Sequence, residues 1–199
     1  VLLVFEAIGV GATHGAQPRE EQPMGKHVLG HLALATVPAL IMLTAMTASP
    51  AAAVVNIDAC QTLDTFGETY RVTQDLSSCG TDCLVVANDR ITIDLQGHQI
   101  FDGCGFPFAA GITDAGIARD GITVKSGTAS LYFFGIDLRA SRRTTVRNVT
   151  ASANFTGIAV GSQSLVKDCH VHGNFLVGIE GGDRVQVEGC NVSLNAGFG

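Results

Sequence analysis

Toward the end of the chain the alternation of apolar and polar residues returns every 20 or 21 positions. Val146, Val166 and Val187 each open a block whose residue types recur at fixed offsets. A small apolar residue follows (Val149, Cys169, Cys190), then another (Ala151, Val171, Val192), then an asparagine (Asn154, Asn174, Asn195). A glycine-isoleucine step closes each block: Gly157-Ile158, Gly178-Ile179, and a Gly199 at which the chain stops in mid-repeat. Short period-two stretches with no helical spacing, repeated at this length, predict stacked β-coils, because each coil can bury its inward residues only against its neighbours.

Alternation also assigns the faces. Val166, Cys169, Val171 and Ile179 point inward, and Lys167, His170, His172 and Glu180 point outward. Two residues, rather than one, separate Val166 from Cys169, so the chain must bend there. The residue at the break is Asn148, Asp168 or Gly189 in successive coils, the types that tolerate the left-handed αL conformation. The column is predicted at positive φ. Earlier coils read less regularly. In ITIDLQGHQI, Ile91, Ile93 and Leu95 alternate, Gly97 takes the corner, and His98 and Ile100 continue inward. Ile122 and Val124 with Ser126 form another coil, followed by Gly135-Ile136 and Leu138. Residues 103–120 exceed the repeat and read as a loop or lateral insertion.

The regular stack is expected from Leu84 and Val86, over residues 84–199, with residues 54–83 as an N-terminal cap region. Residues 1–23 precede the first methionine, carry no periodicity and read as unstructured or as an over-long start. Residues 24–53 have a short basic start (Lys26, His27), an apolar core from Val28 to Ala45 and a small-residue end, the pattern of a secretory signal peptide cleaved after Ala53. The apolar run approaches the ~20 residues that span a bilayer, but Gly30, Pro38 and the alanine-rich end favour removal. The expected location is secreted, periplasmic or at the cell surface, with no membrane contact after cleavage.

The part beyond Ala53 carries 2 Lys and 8 Arg against 15 Asp plus Glu, a net charge of 10 − 15 = −5. Nucleic acid and anionic membrane are therefore poor partners. All six cysteines lie in this part, which suits an oxidising compartment. Cys60 is expected to bond Cys79 or Cys83, while Cys169 and Cys190, at one repeat position in successive coils, are expected as reduced core thiols. The spacings support no four-cysteine metal site, and no cofactor or metal is expected.

These repeats, together with the opening stretch GETYRVTQDLSSCGTDCLVVANDRITIDLQGHQIFDG, resemble the right-handed parallel β-helix family of secreted bacterial proteins, the pectate-lyase-like superfamily, over about residues 57–199. The resemblance implies an all-β, right-handed parallel β-helix, truncated at its C-terminus. The family includes polysaccharide lyases, glycoside hydrolases, epimerases, phage tailspikes, adhesins and periplasmic metal-handling proteins, so fold leaves function open.

Stacking turns repeat positions into outward columns. Thr150, His170 and Asn191 form one, Ser152, His172 and Ser193 a second, Arg147, Lys167 and Glu188 a third. Lys167, His170, His172 and Glu188 are the catalytic candidates. The two imidazoles lie ~6.5 to 7 Å apart along one strand face, a spacing open to metal or acid-base work, although ordinary surface histidines read the same way. Lys167 or Arg147 could be a lyase base, but the calcium-binding Asp cluster that the resemblance implies is absent. Hydrolysis needs paired carboxylates, and Glu188 and Asp168 qualify only by proximity, Asp168 being explained by its corner. Arg142-Arg143 reads as a turn cap, the asparagine column as a hydrogen-bonded ladder, and Phe155 with Phe175 as packing. No Trp and only 2 Tyr leave few large aromatic platforms for sugars. The reading is an exported protein that engages polysaccharide, with no catalytic set visible. A lyase or hydrolase with further coils, a non-catalytic structural or adhesive solenoid, and a metal-handling protein are the alternatives. Self-association through an uncapped last coil is also expected.

Overall fold

The computed structural model describes residues 54–105 and 108–197, and the signal-peptide and over-long-start readings for residues 1–53 lie outside them. Seventeen strands and no helix occur among the described residues. In chain order they begin with β1 (Val54–Ile57), β2 (Gln61–Leu63), β3 (Thr69–Val72), β4 (Leu76–Ser78), β5 (Leu84–Val86) and β6 (Thr92–Asp94). The longer middle coils hold β7 (Gln99–Asp102), β8 (Ala110–Thr113), β9 (Thr123–Ser130), β10 (Phe134–Leu138), β11 (Thr145–Ser152) and β12 (Thr156–Val160). Then come β13 (Leu165–Lys167), β14 (His170–His172), β15 (Val177–Gly181), β16 (Gln186–Glu188) and β17 (Asn191–Ser193). All pairings are parallel, between residues one coil apart, which makes the chain a parallel β-solenoid of about six turns. One sheet holds β1, β3, β6, β9, β11, β13 and β16 and bends into a second limb carrying β4, β7, β14 and β17; the other holds β2, β5, β8, β10, β12 and β15.

The register is the one the repeat predicts. Val146 pairs with Val166 and Val166 with Val187, Ala151 with Val171 and Val171 with Val192. Extended backward, the valine column runs through Val124, Ile93 and Tyr70. From Tyr70 to Val166 no member exceeds 5% exposure, while the outer members Val55 and Val187 stand at 40% and 50%. An inward side chain is thus covered only when a coil lies on both sides of it, and each such burial stabilises by roughly 1.5–3 kcal/mol.

Corners are made by single αL residues. Asn148, Asp168 and Gly189 have φ of 52°, 52° and 61°, as predicted, and Ser126 and Gln96 extend the column at 61° and 52°. Two further αL columns complete each turn. Leu131, Ala153, Gly173 and Leu194 lead into the second sheet, and Arg90, Gly121, Arg143, Gln163 and Arg184 lead out of it. A left-handed non-glycine residue costs roughly 1–2 kcal/mol. The amides at many of these corners offset that by donating to a neighbouring coil: Asp168 N to Glu188 O, Arg143 N to Ser162 O, Gln163 N to Asp183 O, Arg90 N to Asp120 O.

Three sequence expectations change. His98 does not point inward: it is half-exposed, with Nδ1 3.3 Å from Asp75 Oδ1. Four residues, Leu95 to His98, stand where the next coil has only Ser126 and Gly127, so the inward position passes to Leu95. Leu95 fills the space a side chain at Gly127 would occupy, and a Cβ there would clash with it and lie 2.6 Å from His98 O. Residues 103–120 are not wholly an insertion, because β8 within them joins β5 to β10. The stack also reaches back beyond Leu84, since β1 pairs with β3, β2 with β5, β3 with β6 and β4 with β7 in the same two sheets.

Disulfides join Cys60 to Cys83, one of the two expected pairings, and Cys79 to Cys104. Cys169 and Cys190 are free thiols, and they donate to Lys167 O and Glu188 O at 3.2 and 3.4 Å. Burial pushes the Cys169 thiol up to about 11.

Candidate functional site

The four catalytic candidates all lie on the outside of the first sheet. Lys167 and Glu188 are stacked in one column behind Arg147, with Lys167 Nζ 3.6 Å from Glu188 Oε2. His170 and His172 stand on the other limb, past the αL turn at Asp168, in columns with Thr150 and Asn191 and with Ser152 and Ser193. Every one of them is exposed. The structure therefore brings Lys167 to Glu188 as a surface ion pair, with the two histidines on a separate limb. Among the described residues no group of three or more His, Cys, Asp or Glu side chains is placed to hold a metal ion.

The second sheet presents a different outer surface. Its strands are rich in small residues, and their entry is marked by a column of phenylalanines. The Phe133 and Phe155 rings stack at 4.5 Å with an interplanar angle of 10°. Phe108 lies 5.4 Å from Phe133 on the other side, and Phe134 meets Phe133 edge-on at 5.1 Å. One coil further, Phe175 is 57% exposed, and Phe108 is 89% exposed. A shallow cavity of about 460 Å³ lined by Gly80, Thr81, Asp82, Phe108 and Ala109 opens at one end of this ladder.

Stacking explains the ladder. Phe134 pairs with Thr156, which puts Phe133 and Phe155 in register just outside the sheet. Directly inside them runs the asparagine column. Asn154 Nδ2 donates to Asn174 Oδ1 at 3.1 Å, and Asn174 Nδ2 to Asn195 Oδ1 at 2.9 Å. Asn154 Oδ1 accepts from Tyr132 N at 3.0 Å. Asn154 opens an Asn-Phe-Thr sequence of the kind that is glycosylated, but it is fully buried and so closed to that modification. The ladder residues are thus set by a rigid hydrogen-bonded spine. Phe155 and Phe175 read as packing in the sequence; the missing signal was Phe133, which has no partner at a fixed repeat offset until register is known.

Charges flank this face on the exit side. The Arg139 guanidinium sits 4.3 Å from the Phe134 ring centre and binds Asp137 through Nε at 2.8 Å. Hydrogen bonding to Asp137 raises the Arg139 pKa further. A cleft of about 160 Å³ lies between Arg139, Gly161, Ser162 and Glu180.

Beneath the cavity at Phe108, Tyr132 is buried with its hydroxyl 3.0 Å from Ser78 Oγ, and burial pushes the phenol up to about 12. Nearby, the buried Asp102 accepts from Gly80 N and Cys104 N at 3.2 and 3.0 Å, so it ties down the segment that the Cys79–Cys104 disulfide also holds.

The arrangement offers flat aromatic surface, hydrogen-bonding edges and charge along the solenoid axis; Ser141 Oγ donates to Asp114 Oδ2 at 2.8 Å, but both residues are buried. Compared with known proteins, the chain matches no family model, no curated sequence and no solved structure, so its geometry and sequence carry the functional reading.

Proposed function

We propose that this is an exported right-handed parallel β-helix protein, similar to the pectate-lyase-like superfamily, that engages polysaccharide along the outer face of its second sheet. The phenylalanine ladder carries the reading. A row of rings aligned with the axis, part of it strongly exposed, offers successive apolar platforms to the C–H faces of a linear glycan. Export is supported by the two disulfides and by the leading segment with its signal-peptide pattern.

Affinity electrophoresis through gels containing neutral and acidic polysaccharides tests the proposal. The F108A/F175A double variant alters two exposed rings, so its thermal midpoint should stay close to the parent's while its retardation falls. Retardation by no polysaccharide, or equal retardation of parent and variant, refutes the assignment and leaves a non-catalytic structural solenoid as the better reading.

A further inference from the structure

Five of the eight arginines beyond Ala53 gather at one corner of the solenoid. Arg90, Arg143 and Arg184 occupy the αL column that leads out of the second sheet, with φ of 57°, 52° and 58°, and Arg119 and Arg142 stand just before it. Gly67, Gly121 and Gln163 hold the same corner in the other coils. Glycine makes this turn without strain, so the fold itself does not call for arginine there.

The corner carries four carboxylates, Glu68, Asp89, Asp120 and Asp183, against those five cations, a surplus of 5 − 4 = 1 on a part whose net charge is −5. Asp120 is already neutralised: Arg143 binds it through Nε at 2.7 Å and through Nη2, and Arg142 Nη2 lies 3.8 Å away. Asp89 accepts the Asp120 amide at 3.0 Å. Of the other guanidinium groups, Arg90 adds its charge to the field that holds Asp120 ionised, and Arg119 and Arg184 are uncommitted. Arg119 Nε is buried without a hydrogen-bond partner, Arg90 rests 5.4 Å from the Phe66 ring centre, and exposed Arg184 makes no ion pair among the described residues. Arg119 and Arg142 also line a notch of about 200 Å³ with Asp89, Ala118, Asp120 and Ala140.

A buried guanidinium N–H with no acceptor costs stability unless something fills it. The fork of an arginine fits a carboxylate or sulfate in two-point contact. The row also has a spacing: Arg90 to Arg143 and Arg143 to Arg184 are each two coils, roughly 9.6 Å at ~4.8 Å per coil. We propose that this corner is an oxyanion-binding strip for an acidic linear glycan, with Arg119 and Arg142 gripping one carboxylate or sulfate ester in the notch and Arg90 and Arg184 meeting groups further along the chain. It deepens the polysaccharide reading and rests on it.

The experiment uses the whole chain in affinity electrophoresis against polygalacturonate, dextran sulfate and neutral dextran, comparing the parent with R119Q/R142Q, R184Q and, as a control cation on another face, R71Q. The acidic polymers should bind more tightly than dextran, and R119Q/R142Q should lose about tenfold of that affinity and flatten its salt dependence. Dextran binding and the R71Q variant should be unaffected. Preference for polygalacturonate assigns the ligand group as carboxylate, and preference for dextran sulfate as sulfate. Binding of dextran alone, or equal loss in R71Q and R119Q/R142Q, overturns the strip while leaving the aromatic platform standing. Absence of binding to all three polymers overturns both. If R119Q/R142Q fails to fold, R184Q alone decides: an unchanged affinity for the acidic polymers refutes the strip.

Discussion

Truncating Asn154 to alanine should destabilise the solenoid by about 3–5 kcal/mol. The side chain makes three hydrogen bonds in a fully buried position: it accepts from Tyr132 N at 3.0 Å and donates to Ala129 O and Asn174 Oδ1, both at 3.1 Å. Alanine leaves the Tyr132 N–H without its acceptor, a penalty of about 1–3 kcal/mol, and removes two further bonds worth about 1 kcal/mol each. The Asn154 amide keeps its own bond to Asn174 Oδ1, so the loss stays local. Asn191→Ala is the control: the same residue type two coils on, but exposed, and expected to change stability by less than about 0.5 kcal/mol. Urea denaturation measures the total. Because stacked coils need not unfold as one unit, amide exchange at Tyr132 provides the local readout and should accelerate in N154A. A loss under about 1 kcal/mol with unchanged exchange at Tyr132 would show that the ladder decorates the turn rather than holding it.

Three other outcomes follow from the same geometry. Gly189→Val places a β-branched residue at φ 61° against the Asp168 carboxylate and should cost at least about 1–2 kcal/mol more than Gln186→Val, as read by denaturant midpoints; equal costs would argue against the corner register. The Cys169 thiol is raised from 9.0 to about 11, so its neutral form is favoured in the fold: its contribution is complete below pH 9 and is lost as pH rises through about 11. A pH series of urea midpoints should show this alkaline decline reduced in Cys169→Ala, and identical slopes would refute it. Burial alone would raise the Asp94 carboxyl, but bonds from Lys125 at 2.8 Å and from Gln96 outweigh that and hold it below 3.8. Its stabilisation is therefore present above pH 3.8 and fades as pH falls further, and Asp94→Asn should lessen the acid sensitivity in that window.

The coil repeat was legible because Val146, Val166 and Val187 all face inward, and the burial of Val146 and Val166 between neighbouring coils leaves no freedom to drift. One corner in three was legible as well. Asn148, Asp168 and Gly189 are residue types that signal αL by themselves, whereas Leu131, Ala153, Arg90 and Arg143 do not; Arg90 and Arg143 are held there by hydrogen bonds to the neighbouring coil, and the residues after Leu131 and Ala153 by bonds to the asparagine column. Local propensity carries no trace of such bonds. His98 was misplaced for a related reason: two extra corner residues, invisible until β6 and β7 are aligned with β9, shift the inward position to Leu95. Of the outer face, the candidates Lys167, His170, His172 and Glu188 were found because they fall at repeat offsets. The phenylalanine ladder and the arginine corner draw on residues from coils whose lengths differ, so only the pairing of strands lines them up.

Both disulfides lie early in the stack, joining residues 23 and 25 positions apart, while the later coils hold only free thiols. Under tension this gives the molecule a mechanical polarity. Pulled from the side of Asn191–Ser193, the coils should peel one at a time, each releasing roughly 70 Å of extended chain. Peeling would then reach the segment closed by Cys79 and Cys104, where the covalent loops shorten the next release. A force-extension trace should show a sawtooth of even steps and then a shorter one, and reducing agent should restore the missing length.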